Sequence, residues 1–157
     1  MRLPLETLAQ KYQDNVYRAA FSVCKNPQDA EDVTQETFLS YYRSSQQFES
    51  EEHIRAWLLR VAINKGKNLR LSFWSRNRQN VEDYMESLVF EFPEDRGLFT
   101  AVMALPEKYR TVIHLFYYED YTVREIAQIV GASEGTVKTR LHRGREMLKN
   151  KLKEEQA

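Results

Sequence analysis

The stretch 122–152, TVREIAQIVGASEGTVKTRLHRGREMLKNKL, constrains the fold more than any other part of the chain. Thr122 and Glu125 have the S/T-x-x-E spacing of a capping box, which predicts that a helix starts here. Ile126, Ala127 and Val130 give that helix one apolar face. Gly131 and Ala132 end it, since glycine accepts the left-handed conformation just past a helix terminus. Ser133 caps a second helix, along which Val137, Leu141, Gly144, Leu148 and Leu152 recur at steps of four, three, four and four. That spacing is a buried stripe. Helix, glycine turn, helix is the layout of a helix-turn-helix, whose second helix enters the major groove of DNA.

The outward side chains agree with that layout. With Val137 facing inward, a step of about 100° per residue turns Gly135, Thr139, His142 and Glu146 outward. Lys138 and Arg143 flank that face, and Arg140 lies nearer the buried edge. Small, hydroxyl and cationic residues suit base edges and phosphates. Gly135, with no Cβ, allows a close backbone approach. An ordinary two-helix corner with a solvated basic face has the same geometry, so charge elsewhere in the chain has to separate the two.

The net charge of the 157 residues is zero, with 23 basic and 23 acidic side chains, but the total hides a pattern. Residues 1–52 hold five basic and nine acidic groups, and 53–80 hold seven basic and no acidic ones. Residues 81–121 hold three basic and nine acidic groups, and 122–157 hold eight and five. Two basic segments are thus set apart by acidic ones, which points to two DNA-facing surfaces. Only five glycines and four prolines occur, and no segment alternates as a strand would. The expected fold class is all-α: two small helical domains, 1–71 and 93–157, joined by a linker over 72–92. One cysteine, Cys24, leaves no internal disulfide and fits a reducing compartment. No signal peptide opens the chain, and no apolar run approaches the ~18 residues a membrane span needs. The expectation is a cytoplasmic protein with no membrane insertion.

Taken in order, 5–24 keeps helical spacing through Leu5, Leu8, Ala9, Tyr12, Val16, Ala19, Ala20 and Val23, and Asn26-Pro27 stops it. A second helix follows over 27–44, with Ala30, Val33, Thr37, Phe38 and Tyr41 inward and Asp29, Asp32, Gln35 and Glu36 outward. That acidic face is either merely solvated or a dock for a basic partner. Residues 44–50, SSQQFES, form a polar loop with one aromatic. Phe48 either folds into the core or offers its ring to an unstacked base. Ser50 caps a third helix, with Glu51 and Glu52 near its positive end. Ile54, Trp57, Leu58 and Val61 form its inward stripe. Arg55, Arg60, Asn64, Lys65, Lys67, Asn68 and Arg70 occupy the remainder, a bias that favours a phosphate-tracking surface. Beyond 72 the periodicity fades. Trp74, Arg76 and Arg78 stay basic, and Met85, Leu88, Val89 and Phe90 are apolar residues within an acidic stretch. Helical pattern returns over 94–105, and Pro106 opens a helix carrying Tyr109, Val112, Ile113, Phe116 and Tyr117.

No catalytic, metal or cofactor motif is present: His53, His114 and His142 stand apart, and there is no H-E-x-x-H, C-x-x-C, G-x-S-x-G, Walker loop or dinucleotide fingerprint. The expectation is therefore no enzyme, no cofactor and no metal.

Two motif sets in order carry a resemblance. The run ALPEKYRTVIHLFYYEDYTVREIAQIVGASEGTVKTRLHRGREML resembles the C-terminal DNA-binding domain of bacterial sigma factors, and DAEDVTQETFLSYYR with FESEEHIRAWLLRVAINKGKN resembles their second conserved region. Both regions with little else resemble the extracytoplasmic-function class of the sigma-70 family. The resemblance implies a subunit that binds core RNA polymerase and directs it to promoters. It implies that Asp32, Gln35, Glu36 and Phe38 dock on the β′ clamp helices, with a further contact to the β flap. Phe48 and its loop would capture a flipped base of the −10 element, beside Arg60, Asn64, Lys67 and Asn68. Lys138, Thr139, Arg140, His142 and Arg143 would read the −35 element. Many members of the class are held inactive by an anti-sigma factor. The rival reading is a stand-alone helix-turn-helix regulator, which needs a dimer interface and binds palindromes without polymerase.

Overall fold

The structure is a computed structural model that describes residues 1–73 and 93–156. Most of the expected linker over 72–92 lies outside the described residues, and with it the readings made for Trp74, Arg76, Arg78, Met85, Leu88, Val89 and Phe90. Residues 1–73 belong to one compact unit and 93–156 to a second. Every described element is helical. No described helix is long and apolar enough to cross a membrane.

The first unit holds three helices. Helix α1 spans Leu5–Cys24 and buries Leu8, Tyr12, Val16, Ala19, Ala20 and Val23, the residues whose spacing predicts it. Lys25 ends it in the left-handed conformation at φ 55°. The Asn26 side chain then accepts from the Asp29 amide at 2.9 Å, and Pro27 fills the first turn of α2, Pro27–Arg43. Asparagine at the cap and proline just inside it suit the unpaired amides of a helix start. Helix α3 spans Glu51–Phe73. The Ser50 hydroxyl accepts from the His53 amide at 3.1 Å, while His53 Nδ1 accepts from the Glu49 amide at the same distance. Helix α1 packs on both α2 and α3, closing a core around Val16, Val33, Tyr41, Ile54, Leu58 and Ile63.

Glu51 ties α1 to α3. Its carboxylate accepts from Lys11 Nζ at 2.6 Å and from the Tyr12 hydroxyl at 2.8 Å. Those two bonds, the lysine's first, hold the Glu51 carboxyl below its usual range. Burial, and then the bond to Glu51, push the Tyr12 phenol up to about 12.

The second unit begins with α4, Pro93–Met103, and α5, Glu107–Ile113. Helix α5 does not continue as a regular helix to Tyr117. It widens into a π-helical turn, His114–Tyr118, in which the Glu119 amide donates to the His114 carbonyl at 3.2 Å. The wider turn rotates later side chains off the 3.6-residue stripe. Phe116 is therefore half-buried and Tyr117 is 51% exposed, where regular spacing predicts both inward. Glu119, just past this turn, is fully buried, with its Oε1 3.3 Å from Nε2 of the buried His114. Helices α6, Val123–Val130, and α7, Glu134–Gln156, complete the unit, and α5 and α6 both pack on α7.

Candidate nucleic-acid interface

The helix-turn-helix is built by the local chemistry that the sequence contains. The Thr122 hydroxyl accepts from the Glu125 amide at 3.2 Å, and the Glu125 carboxylate accepts from the Thr122 amide at 3.0 Å. This reciprocal capping box satisfies two amides that a helix start leaves unpaired. Gly131 ends α6 at φ 72°, where a side chain would be strained. Ser133 accepts from the Thr136 amide at 3.1 Å and starts α7. The buried face of α6 is Ile126, Ala127 and Ile129; Val130, expected inward, is half-buried. From α7, Val137, Leu141 and Gly144 are buried. A Cβ on Gly144 would stand 3.0 Å from Ile113 Cγ1 and 3.5 Å from Tyr109 Cβ, so the glycine is what lets α7 lie against α5. The stripe then loses its cover. Leu148 and Leu152 are half-buried and line an open apolar groove with Leu98, Val102, Tyr117 and Tyr118.

Packing Val137, Leu141 and Gly144 inward leaves Lys138, Thr139, His142 and Arg143 exposed along one side of α7, with Arg140 half-buried at its edge. Gly135 is exposed, and a Cβ there would meet only Ser133 Oγ at 3.9 Å. The protein's own packing thus places no demand on that glycine. The Arg143 guanidinium lies beside the Tyr109 phenol of α5 and holds it below its usual ionisation range. Arg145 turns elsewhere: its Nε donates to the Tyr117 hydroxyl at 2.6 Å, and its guanidinium lies 5.5 Å from the Phe116 ring centre. Arg124, at the start of α6, is exposed beside the turn and shares a shallow cleft with Gln128 and Ser133. Spacing marks Tyr109 only as a residue of the apolar face and leaves Arg124 unremarked, because the partner of one and the neighbourhood of the other are set by a different element.

In the first unit the candidate residues occupy two adjoining faces. Asp32, Gln35 and Glu36 are exposed on α2. Phe38, grouped with them by resemblance, is 8% exposed and belongs to the buried stripe with Val33, Thr37 and Tyr41. This corrects its reading as a surface contact. On α3, Arg60, Asn64 and Asn68 are exposed and Lys67 is half-buried; their spacing of four, three and one puts them on one side of the helix. The two faces meet at an open groove lined by Asp32, Val33, Glu36, Lys65, Asn68 and Leu69.

Phe48 takes the core alternative. It is 3% exposed, stacked on Tyr41 with ring centres 5.9 Å apart, and meets the Trp57 and His53 rings edge-on at 5.7 and 5.1 Å. The ring is thus enclosed in the core and not offered to solvent, which departs from the exposed platform that resemblance implies. What the loop presents outward is Ser45, Gln46, Gln47 and Glu49.

Comparison with known proteins bears on both units. The family described as Sigma-70 region 2 matches residues 8–84, and the one described as Sigma-70, region 4 matches 96–148. The ECF RNA polymerase sigma factor SigW of Bacillus subtilis is 31% identical over 160 residues, covering 91% of this chain and 86% of that one. The RNA polymerase sigma factor SigV of the same organism is 33% identical over 164 residues, covering 96% and 92%. Among solved structures, the sigma factor RpoE with the anti-sigma factor NepR from Bartonella quintana superposes with a TM-score of 0.71 at 22% identity, over 94% of this chain and 96% of that one. CnrH with the cytosolic domain of CnrY gives 0.71 at 24% identity, over 95% and 87%. At those identities the structural likeness concerns the fold.

Proposed function

The chain belongs to the extracytoplasmic-function sigma factors of the sigma-70 family, and from that premise we propose how its two units divide the work of directing core RNA polymerase to promoters. The first unit docks on the polymerase and meets the −10 element. The second reads the −35 element through α7. The observation that carries this division is that each unit turns a separate polar, cation-bearing helix face outward: Arg60, Asn64, Lys67 and Asn68 on α3, and Lys138, Thr139, Arg140, His142 and Arg143 on α7.

The roles follow from charge and reach. Asp32, Gln35 and Glu36 are acceptors on an exposed α2 face and suit the cationic side chains of a partner, here the β′ clamp helices; the β flap meets the second unit. Phe38 contributes by holding α2 in place from beneath. On α7, threonine, histidine and arginine side chains can bond base edges while lysine neutralises phosphate. The Tyr109 phenol stands beside Arg143 on the same side of the unit and shares in placing it for the contact. In the first unit the polar 44–50 loop receives the displaced −10 base, and Phe48 is its anchor in the core. Melting is easier when an unstacked base finds hydrogen-bonding partners. The polymerase supplies the chemistry, so the chain works in the cytoplasm as a non-catalytic subunit. Control by an anti-sigma factor belongs to the same proposal; one structural neighbour, the sigma factor RpoE from Bartonella quintana, was solved with the anti-sigma factor NepR.

The test is reconstitution: purified chain and core polymerase transcribing from a promoter library. Initiation that appears only when both are present, at sites sharing two spaced elements, supports the reading. Tight binding to a palindrome without polymerase points instead to a stand-alone regulator.

A further inference from the structure

We propose that Arg2 is a positioning residue for promoter melting: its guanidinium fixes the 44–50 loop in the shape that meets the −10 strand. The proposal rests on the reading that this loop contacts the −10 element. Helix α2 ends at Arg43 and, like any helix, leaves carbonyls of its last turn short of partners. Arg2 Nη2 donates to a last-turn carbonyl, that of Tyr41, at 2.7 Å, beside the Ser44 amide that also donates to it at 3.2 Å, and Nη1 donates to the Gln46 carbonyl of the loop, also at 2.7 Å. One planar group thus bridges the end of α2 and the loop, a geometry that fits the rigid fork of arginine. The positive charge also sits at the negative end of the helix dipole. The same guanidinium lies 4.3 Å from the Tyr41 ring centre and 5.9 Å from that of Phe48.

The strand around Arg2 is itself fastened to the same elements. The Tyr41 hydroxyl donates to the Leu3 carbonyl at 2.6 Å and lies 2.9 Å from the Leu3 amide. The Phe48 amide donates to the Met1 carbonyl at 3.2 Å. Within the loop, the Gln46 amide donates to the Ser44 hydroxyl at 3.1 Å. The exposed residues Ser45, Gln46 and Gln47 therefore hang between a buried Phe48 and a helix end, with the Arg2 fork across the span. None of these contacts involves the acidic face of α2 or the cationic face of α3, so loosening the fork changes the loop and leaves those faces in place.

The experiment uses holoenzyme and follows permanganate reactivity of unpaired −10 thymines, alongside core affinity and −35 protection. Arg2→Ala is expected to reduce melting by about tenfold, the size of two lost hydrogen bonds, and to flatten discrimination among −10 variants, with core affinity and −35 protection unchanged. Arg2→Lys keeps the charge without the fork and should fall between. A parallel loop variant, Ser45→Gly with Gln46→Gly and Gln47→Gly, separates the two ideas. If the loop variant melts promoters normally, the reading of the loop fails. If it is impaired while both Arg2 variants match the parent, the loop reading stands and the positioning role is overturned. A loss of core affinity in Arg2→Ala equal to its loss of melting also overturns it, because that is the signature of general destabilisation.

Discussion

The two units reach the same kind of surface by different routes. In the second, the outward side of α7 is set by neighbours in sequence: the Thr122–Glu125 box, the left-handed Gly131, the Ser133 cap and the stripe through Val137, Leu141 and Gly144. In the first, the 44–50 loop is held by residues about forty positions away, Arg2 and Leu3 against Tyr41 and Gln46. The first unit also crowds opposite charges together, with acidic Asp32 and Glu36 sharing a groove with Lys65 and Asn68. The second places the candidate cations Lys138, Arg140 and Arg143 on one side of a single helix. Local construction tolerates distant change, whereas construction by contact does not, and this difference can be tested.

The largest expected effect lies in the crowded unit. Asp32→Arg with Glu36→Arg replaces two exposed acceptors by cations and should weaken core binding by at least roughly tenfold, as charge reversal in an interface does. Because both side chains are exposed, the circular dichroism melt should be unchanged. Full co-purification of the double variant with core would remove α2 from the docking surface. Next comes Gly144→Val, which drives a branched side chain into Ile113. It should destabilise the second unit by about 1–3 kcal/mol, typical of overpacking, and hydrogen exchange should then rise across α5 and α7 while α1 to α3 stay protected. Equal loosening of both units would break the contrast.

Arg143→Ala should cost about 1–3 kcal/mol at the −35 element if the guanidinium reads a base edge. Tyr109→Phe keeps Arg143 and removes only the hydroxyl beside it, so −35 affinity should fall a few-fold, roughly threefold if that hydroxyl bonds the guanidinium. Spectrophotometric titration checks the pairing directly. The phenol that disappears in Tyr109→Phe should be one that ionises below the usual tyrosine range, because Arg143 beside it favours its charged form. A missing phenol that titrates in or above the usual range would mean the pair does not exist in solution.

How much of this was legible in the sequence follows the same divide. Helix α1 is legible to the residue, and so are the capping box, the glycine turn and the outward set on α7, because period and cap chemistry are local. The π-helical turn at His114–Tyr118 is not, since a widened turn leaves no trace in apolar spacing; it turns Tyr117 out and sets Glu119 beside His114 in the interior. Nor is the place of Phe48, which depends on Tyr41, Trp57 and His53 closing around it. Phe38 reads as part of an acidic surface only when resemblance is followed past its own apolar spacing. Asn64 and Arg143 are placed on outward faces by period alone, but Tyr109, the neighbour of Arg143, belongs to another helix.

The division of labour between the units is tested most directly by footprinting holoenzyme on one promoter with two variants, Arg60→Ala/Asn64→Ala and Arg143→Ala. The first should lose −10 melting and keep −35 protection, and the second should lose −35 protection and keep melting once bound at high concentration. Loss of both signals in both variants, or of neither, contradicts the account.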